Sequence, residues 1–508
     1  MAEEVWMLQT KKADFKQIGA RFRIDPVTAR IIRNRGIEGE AAIDRYLNGT
    51  LDDLYDPMLL KDMERAVSIL CEAVDTGKKI RIVGDYDIDG VCSTYILLQA
   101  FERLGSDVDF EIPDRIKDGY GINESIIEQA HADGVEVILT CDNGISAFHQ
   151  VELAKKYGMT VVITDHHEVP LDGEKEKIPP ADAVIDPKQA DCPYPFPEIC
   201  GAVVAYKLVQ VLYARRGVPQ MEWLDLLEFA AIATVGDVMK LQDENRILVK
   251  YGLKKMAQTK NLGLRRLAEK NNLDLGAITA YHIGFVIGPC LNAGGRLKTA
   301  KEALALLRAQ SEEEAERLAE ELKELNDTRK DMTEQGTEAA KLQVESWYQK
   351  DKVLVVFLPE CHESLAGIIA GRLREYYQKP AIVLTRGEEA VKGSGRSIDE
   401  YHMFKKLTEV SDLLLKFGGH PLAAGLSLEE KNIDEFRRRL NENAGLTEED
   451  FKAKVWIDVP MPVGYVTERL VRELSCLEPF GQGNEKPLFA EKSLRIRASR
   501  VLGRNRNV

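Results

Sequence analysis

The sequence predicts a multidomain α/β protein: a parallel-sheet domain, a long connecting helix, a second α/β domain and a small C-terminal β domain. Three observations predict it. From residue 79 short apolar runs (KIRIVG, DVDFEI, VEVILT, MTVVIT, DAVID) alternate with amphipathic stretches, as strands and crossover helices do in a parallel sheet. Residues 311–347 hold a helical pattern long enough to act as a spacer. A second alternation then opens with KVLVVFL at 352–358. A chain of 508 residues is too long for one core, and 44% hydrophobic content is enough to fill several.

Taken in order, residues 27–74 read as largely helical, packed on one edge of the first sheet. Helical segments follow the last strand around 201–216 and 222–235, and a mixed region runs to about 305. Ser311 is suited to cap the long helix, with acidic residues in its first turn. The second unit continues through LAGIIAGRLREYY and AIVLT to the glycine-rich FGGHPLAAGLS at 417–427. The expected divisions are 1–305, 306–347, 348–446 and 447–508. In the last of these RIRASRVLGRNRNV reads as a strand approaching a hairpin whose partner is absent, so the β domain is expected to be truncated.

The opening MAEEVWMLQTKKADF lacks the apolar segment of a secretory signal, and no apolar run approaches membrane-spanning length. A cytoplasmic protein without a membrane partner is expected. Eight scattered cysteines with no C-x-x-C pair read as reduced thiols rather than a zinc site or a disulfide framework. The net charge of −14 argues at first sight against a nucleic-acid partner. Much of that acidity is local, because residues 311–325 carry seven carboxylates against two basic groups. A metal site built from carboxylates is itself acidic until its cations bind.

The strongest chemical signal is RIVGDYDIDGVCST at 81–94, where an apolar strand runs directly into Asp85, Asp87 and Asp89. Hard oxygen ligands of that kind suit manganese or magnesium. A calcium EF-hand begins the same way, but the glutamate it needs at its twelfth position is Ile96 here. The plainer alternative is an Asp-rich turn that caps the next helix. Two further strand ends weigh against it: VEVILT leads into Asp142, and MTVVIT leads into Asp165, His166 and His167. Ligands bind outside the carboxyl ends of strands in open α/β sheets, so these ends converge on one site. Asp237, after the apolar FAAIATVG, is a fourth contributor.

DYDIDG, CDNG, DHH and GD, in this order, resemble the first four motifs of the DHH phosphoesterase superfamily. The resemblance implies two divalent cations, manganese or alternatively magnesium, that activate water for attack on phosphorus. It makes Asp85, Asp87, Asp89, Asp142, His166 and Asp237 metal ligands, with His167 and Asp165 supporting them or facing the phosphate.

That superfamily also contains pyrophosphatases, nanoRNases and cyclic-dinucleotide phosphodiesterases, so these motifs do not choose the substrate. GPCLNAGGRL, HESLAGIIAGRL, GSGRS, FGGHPLAAG and LEPFGQGNEKPLF resemble the branch whose members degrade single-stranded DNA from its 5′ end in repair and recombination. That likeness implies a strand-binding face with Arg296, Arg372, Ser394, Arg396, Gly418, Gly419 and His420, and a terminal-phosphate site at Arg372, Ser394 and Arg396. It also implies a C-terminal oligonucleotide-binding barrel, with Phe480 and Phe489 as stacking or core residues and Arg495, Arg497, Arg500, Arg504 and Arg506 as a basic track. Cys290 stands where this branch usually has arginine, so one basic contact is expected to be missing. Single-strand-binding protein and a RecQ-type helicase are the partners implied. A non-catalytic DNA-binding replication scaffold, the other class considered, has no need of the complete carboxylate set.

Overall fold

The computed structural model describes residues 4–495, 497, 498, 500 and 501. The five predicted strands of the first half form one parallel sheet in the spatial order Val108–Glu111, Ile80–Val83, Val137–Cys141, Thr160–Thr164, Ala183–Ile185. The three central strands are buried almost throughout, which is why they read as continuous Ile/Val runs. Alternate side chains serve the two faces. Ile80, Ile82, Val137 and Leu139 pack with the helices Met63–Asp75, Ile88–Arg103 and Gly201–Arg216, while Val83, Ile138 and Ile163 pack with Glu124–Ala132 and Phe148–Lys156 on the other face. After Ile80–Val83 the chain goes first to one edge and then returns to the other side, so a switch point falls between Ile80–Val83 and Val137–Cys141. The carboxyl ends of those two strands bound the crevice where a ligand site belongs.

Residues 227–307 hold helices rather than a mixed region: Leu227–Gly236, Asp243–Met256, Leu262–Lys270, Ala280–His282, Gly288–Leu297 and Lys301–Leu307. Ser311 caps the helix Glu312–Gln343 as expected, its hydroxyl accepting the Glu314 N–H at 3.2 Å. Beyond that helix a five-stranded mixed sheet is ordered Leu414–Gly419, Ala423–Leu428, Val391–Arg396, Ala381–Arg386, Leu354–Phe357. Helix Ala366–Tyr377 covers Leu354, Val356, Ala381 and Val383 on one face of this sheet. Strand Val391–Arg396 meets the same helix at Gly367, while Gly418 and Gly425 on the two outer strands have no neighbour within 4 Å of where a Cβ would stand.

The N-terminal helices differ from expectation. Pro26–Asn34 and Glu40–Asn48 share a core with Val459, Met461, Leu470 and Leu477 instead of lying against the sheet edge. Strand Glu4–Leu8 likewise pairs in parallel with Ala453–Ile457. Two buried arginines tie these distant segments together. Arg35 forms a bidentate pair with Asp458 at 2.7 and 3.1 Å. Arg246, fully buried, donates to the carbonyls of Tyr46, Leu477 and Cys476 at 3.0, 2.9 and 2.8 Å. Past residue 457 the described residues form the short strands Val459–Pro460 and Phe489–Ala490, the helix Glu468–Leu474 and the 3-10 turns Val463–Tyr465 and Ser475–Leu477. The expected strand at 494–501 is absent among the described residues, and Arg504 and Arg506 lie outside them.

All eight cysteines are free. No helix among the described residues is long and apolar enough to cross a membrane. Because Arg246→Ala leaves three carbonyls and a cavity behind, it is expected to lower the unfolding free energy by roughly 3 kcal/mol or more. Urea denaturation of the metal-free protein measures this, and a loss under about 1 kcal/mol would contradict the role given to Arg246.

Candidate active site

The carboxylates converge at the switch point, and backbone N–H groups fix them there. Asp87 caps helix Ile88–Arg103, accepting from the N–H groups of Asp89 and Gly90 at 2.9 and 3.1 Å. Asp89, in the first turn of that helix, accepts from Gly201 and Ala202 at 2.7 Å each, the first N–H groups of helix Gly201–Arg216. Asp85 is buried and accepts the Gly121 N–H at 3.2 Å. Two glycines permit this crowding. A Cβ on Gly90 would lie within 2.4–2.6 Å of the Asp85 backbone, and one on Gly201 would lie 2.7 Å from the Asp142 Cβ.

Asp142 occupies the left-handed region at φ 61°, which aspartate tolerates better than most residues. Its neighbour Asn143 donates to the carbonyls of Val83 and Cys141 at 3.0 and 2.9 Å, locking the two central strand ends together. His166 then brings the ligand set into contact. Its Nε2 lies 3.0 Å from Asp142, 3.4 Å from Asp89 and 3.8 Å from Asp237, while its Nδ1 is buried without a partner. Asp237 sits at the C-terminal end of helix Leu227–Gly236, the negative end of the helix dipole, so it gains nothing there as a cap.

Asp165 and His167 form a supporting pair. The Asp165 carboxylate accepts the N–H groups of Ile145, His166 and His167 and lies 2.8 Å from His167 Nδ1. The Tyr120 hydroxyl lies 3.0 Å from the same imidazole nitrogen and donates to the Asp142 carbonyl at 2.6 Å. Burial opposes both charges, yet the pairing holds the Asp165 carboxyl below its ordinary value and lifts His167 to about 9.

The ligand carboxylates behave in the opposite way. Burial and then Asp87 raise Asp85 to about 8, and burial with Asp89 and Asp87 raises Asp237 to about 8. Burial and then Asp89 also raise Asp87, and burial with Asp89, Asp87 and Asp85 lifts Asp142. No lysine or arginine of the described residues forms an ion pair with any of these four. Donor atoms of Asp85, Asp87 and Asp142 lie within 4.8 Å of one another, as do those of Asp89, His166 and Asp237, and those of Asp142, His166 and His167. Oxygen-rich sets completed by one imidazole fit divalent manganese or magnesium.

Beside this cluster lies a cavity of about 560 Å³ with the opposite charge, lined by Tyr86, Arg115, Arg296, Ser364, Ser394 and Arg396. Arg296 donates to the Ser364 carbonyl at 3.1 Å, and Arg396 donates to Ser394 Oγ at 3.1 Å. Burial and then Arg115 and Arg329 push Arg296 down to about 10. Neither Arg115, Arg296, Arg329 nor Arg396 has a carboxylate in ion-pair distance among the described residues. Gly367 makes room for the pair, since a Cβ there would meet Arg396 Nη2 at 2.8 Å and Ser394 Oγ at 2.9 Å.

The structure does not bring every expected residue here. Arg372 is exposed in a separate groove with Glu334, Glu338 and Glu375, because Gly367 and Gly371 occupy the helix face turned to Arg396 and one residue further is a rotation of about 100°. Gly418 pairs with Gly425, which pairs with Ser394, so it belongs to the same sheet face two strands away. Gly419 and His420 form the exposed hairpin turn, closed by the His420 N–H on the Ala423 carbonyl at 2.8 Å. Cys290 is buried against Asn271 and Asn326, so an arginine contact to a strand is not simply missing at that point. Phe480 and Phe489 are partly buried against the core they share with the N-terminal helices. Arg115 and Tyr120 escaped the sequence reading. They lie on the loop PDRIKDGYGIN after strand Val108–Glu111, and the rule that ligands gather at carboxyl ends pointed to it.

Three family models match in tandem: the DHH family N-terminal domain at 79–234, the DHHA1 domain at 350–445 and the RecJ OB domain at 457–508. The first two define the class, a two-domain DHH-family protein. The chain is 37% identical over 99% of its length to the single-stranded-DNA-specific exonuclease RecJ of Bacillus subtilis, 63% of which it covers. It is 34% identical to the corresponding RecJ of Haemophilus influenzae, covering 96% of this chain and 87% of that one. A crystal structure of RecJ from Thermus thermophilus in complex with Mn2+ matches with a TM-score of 0.82 at 30% identity, over 96% of this chain and 69% of that one. The chain belongs to the RecJ family. It spans under two thirds of the Bacillus subtilis relative's length.

The raised carboxyls give a pH test. Without cations Asp85 and Asp237 keep their protons up to about 8 in the folded chain, against an ordinary value near 4 when unfolded. The stability these two groups contribute is therefore fullest below pH 4 and is lost as pH rises through 8. Bound cations favour the charged carboxylates and remove that loss. The difference in Tm between manganese-loaded and EDTA-treated protein is expected to widen from pH 6 to pH 9, and a constant difference would contradict the assignment.

Proposed function

We propose that this chain hydrolyses single-stranded DNA from its 5′ end and releases 5′-mononucleotides. The observation that carries the reading is the junction of two unlike surfaces: a buried carboxylate cluster and a cavity of uncompensated arginines, with Tyr86 lining the cavity between Asp85 and Asp87 of the cluster. The relatives' description as single-stranded-DNA-specific exonucleases supports it.

Asp85, Asp87 and Asp142 would hold one divalent cation and Asp89, His166 and Asp237 the other, manganese before magnesium. When bound, such a pair activates water and neutralises the leaving oxygen of an in-line displacement. The rest falls to the chain's own groups. Arg115, Arg296, Arg396 and Ser394 receive the terminal 5′ phosphate through charge-assisted hydrogen bonds, fixing the scissile bond one nucleotide inward. Asp165 keeps a proton on His167 Nδ1 and, with Tyr120, fixes the ring beside the cluster. Gly418 and Gly425 leave the sheet face free for the backbone of the strand. An enzyme that takes an unpaired end acts downstream of strand opening, so a RecQ-type helicase and single-strand-binding protein belong with this reading, as do repair, recombination and a cytoplasmic setting.

The test is a manganese time course on 5′-phosphorylated single strands labelled at either end, with duplex and short RNA controls. Immediate mononucleotide release from a 5′ label is expected. Binding without cleavage would favour the scaffold, and cleavage of short RNA alone would favour a nanoRNase. Asp142→Ala is expected to lose all detectable cleavage while retaining strand binding and a cooperative thermal transition; equal activity would sink the ligand assignment.

Arg396→Ala should raise KM for a 5′-phosphorylated strand by roughly ten-fold or more, as for a lost charge-assisted bond of about 1.5–3 kcal/mol. A 5′-hydroxyl strand should suffer much less. Equal losses on both strands would remove the terminal phosphate from this cavity.

A further inference from the structure

Adjoining the carboxylate cluster at Asp237 lies a second cavity, of about 720 Å³, whose lining is mainly apolar. Gly236 and Val238, the two neighbours of Asp237, line it directly. Val238 is β-branched yet sits at φ 58°, with two thirds of its surface exposed (66%). A branched side chain costs energy in that conformation, and turning it toward solvent costs more. Tyr281 and Phe285 line the same cavity, stacked with centroids 4.8 Å apart at 25°, and 60% and 68% exposed. Phe285 lies in a π-helical turn, Ile283–Ile287, a widened geometry that recurs at functional sites. Phe480 also lines the cavity.

We propose that this cavity receives unpaired nucleobases of the substrate strand on the 3′ side of the scissile phosphate, stacked on Tyr281 and Phe285. The inference rests on the exonuclease reading above and adds the path of the strand. With the terminal phosphate in the arginine cavity beside Asp85 and Asp87, the next phosphate lies at the carboxylates. The strand then leaves across Asp237, onto Val238 and the two rings. Bases offer flat apolar faces, and exposed aromatics bind such faces without regard to sequence. Lys250 and Lys486 flank the cavity, but Glu478 and Glu485 do too, so stacking rather than phosphate attraction carries the affinity. A duplex presents no free base faces, and such a platform would therefore select single strands.

The test measures KM for 5′-phosphorylated strands of about twelve and about three nucleotides, with the wild type and a Tyr281→Ala/Phe285→Ala variant. The longer strand's advantage in KM is expected to shrink about ten-fold in the variant, the scale of one lost base–aromatic stack, and Phe285→Trp alone is expected to retain it. An independent arm needs no variant. Interior abasic sites in the longer strand should cost the wild type a similar factor, and should cost the double variant far less. A full length advantage in the variant, or equal abasic losses in both proteins, would overturn the proposal. A wild type that cleaves no single strand of either length is a different outcome, which overturns the exonuclease reading and this proposal with it.

Discussion

Mutual repulsion among buried carboxylates is the constraint around which the first half of the chain is organised. Asp85, Asp89 and Asp142 are almost entirely withdrawn from water and Asp87 is partly buried beside them, with no lysine or arginine of the described residues paired to any of the four. What holds them in place is backbone: the opening N–H groups of helix Ile88–Arg103 on Asp87, those of helix Gly201–Arg216 on Asp89, and Gly121 on Asp85. Helix N-termini supply partial positive charge, and they orient the carboxylates without neutralising them. The residual charge is left for cations.

The sheet order makes that arrangement possible. Because the chain reverses direction across the sheet after Ile80–Val83, the ends of two neighbouring strands diverge and leave a crevice, which Asn143 spans. The second half supplies what the first lacks. Its mixed sheet turns Ser394 and Arg396 toward a cavity completed by Arg115 and Arg296, where burial and then neighbouring arginines lower Arg296 and Arg396, and among the described residues no carboxylate stands within ion-pair distance of them. An acidic chain thus carries a local basic site, which is why a net charge of −14 is a poor guide to its partner.

Much of this was legible in the sequence because each parallel strand announces itself as an apolar run and each ligand follows such a run directly. Asp85, Asp87, Asp89, Asp142 and His166 come together in the fold, and the long helix begins at the cap that Ser311 promised. Features set by rotation or by distant pairing were not legible. Arg372 and Gly371 are adjacent in sequence but face about 100° apart on a helix, so a motif cannot tell which one reaches the cavity. Nothing local foretells that Glu4–Leu8 pairs with Ala453–Ile457, or that Arg246 clamps segments some two hundred residues away on either side. Arg115 and Tyr120 were missed because their loop carries no apolar run or carboxylate triplet to mark it.

The central claim is that this carboxylate cluster exists to hold divalent cations. Its most direct test is the number of manganese ions bound per chain, read by equilibrium dialysis with electron paramagnetic resonance, for the wild type and for Asp142→Asn. The account predicts two ions per wild-type chain, magnetically coupled, and loss of that coupling with weakened binding in the variant, because Asp142 groups with Asp85 and Asp87 and also lies within reach of His166, a donor of the other set. No stoichiometric binding to the wild type, or two equally tight ions in both proteins, would contradict it.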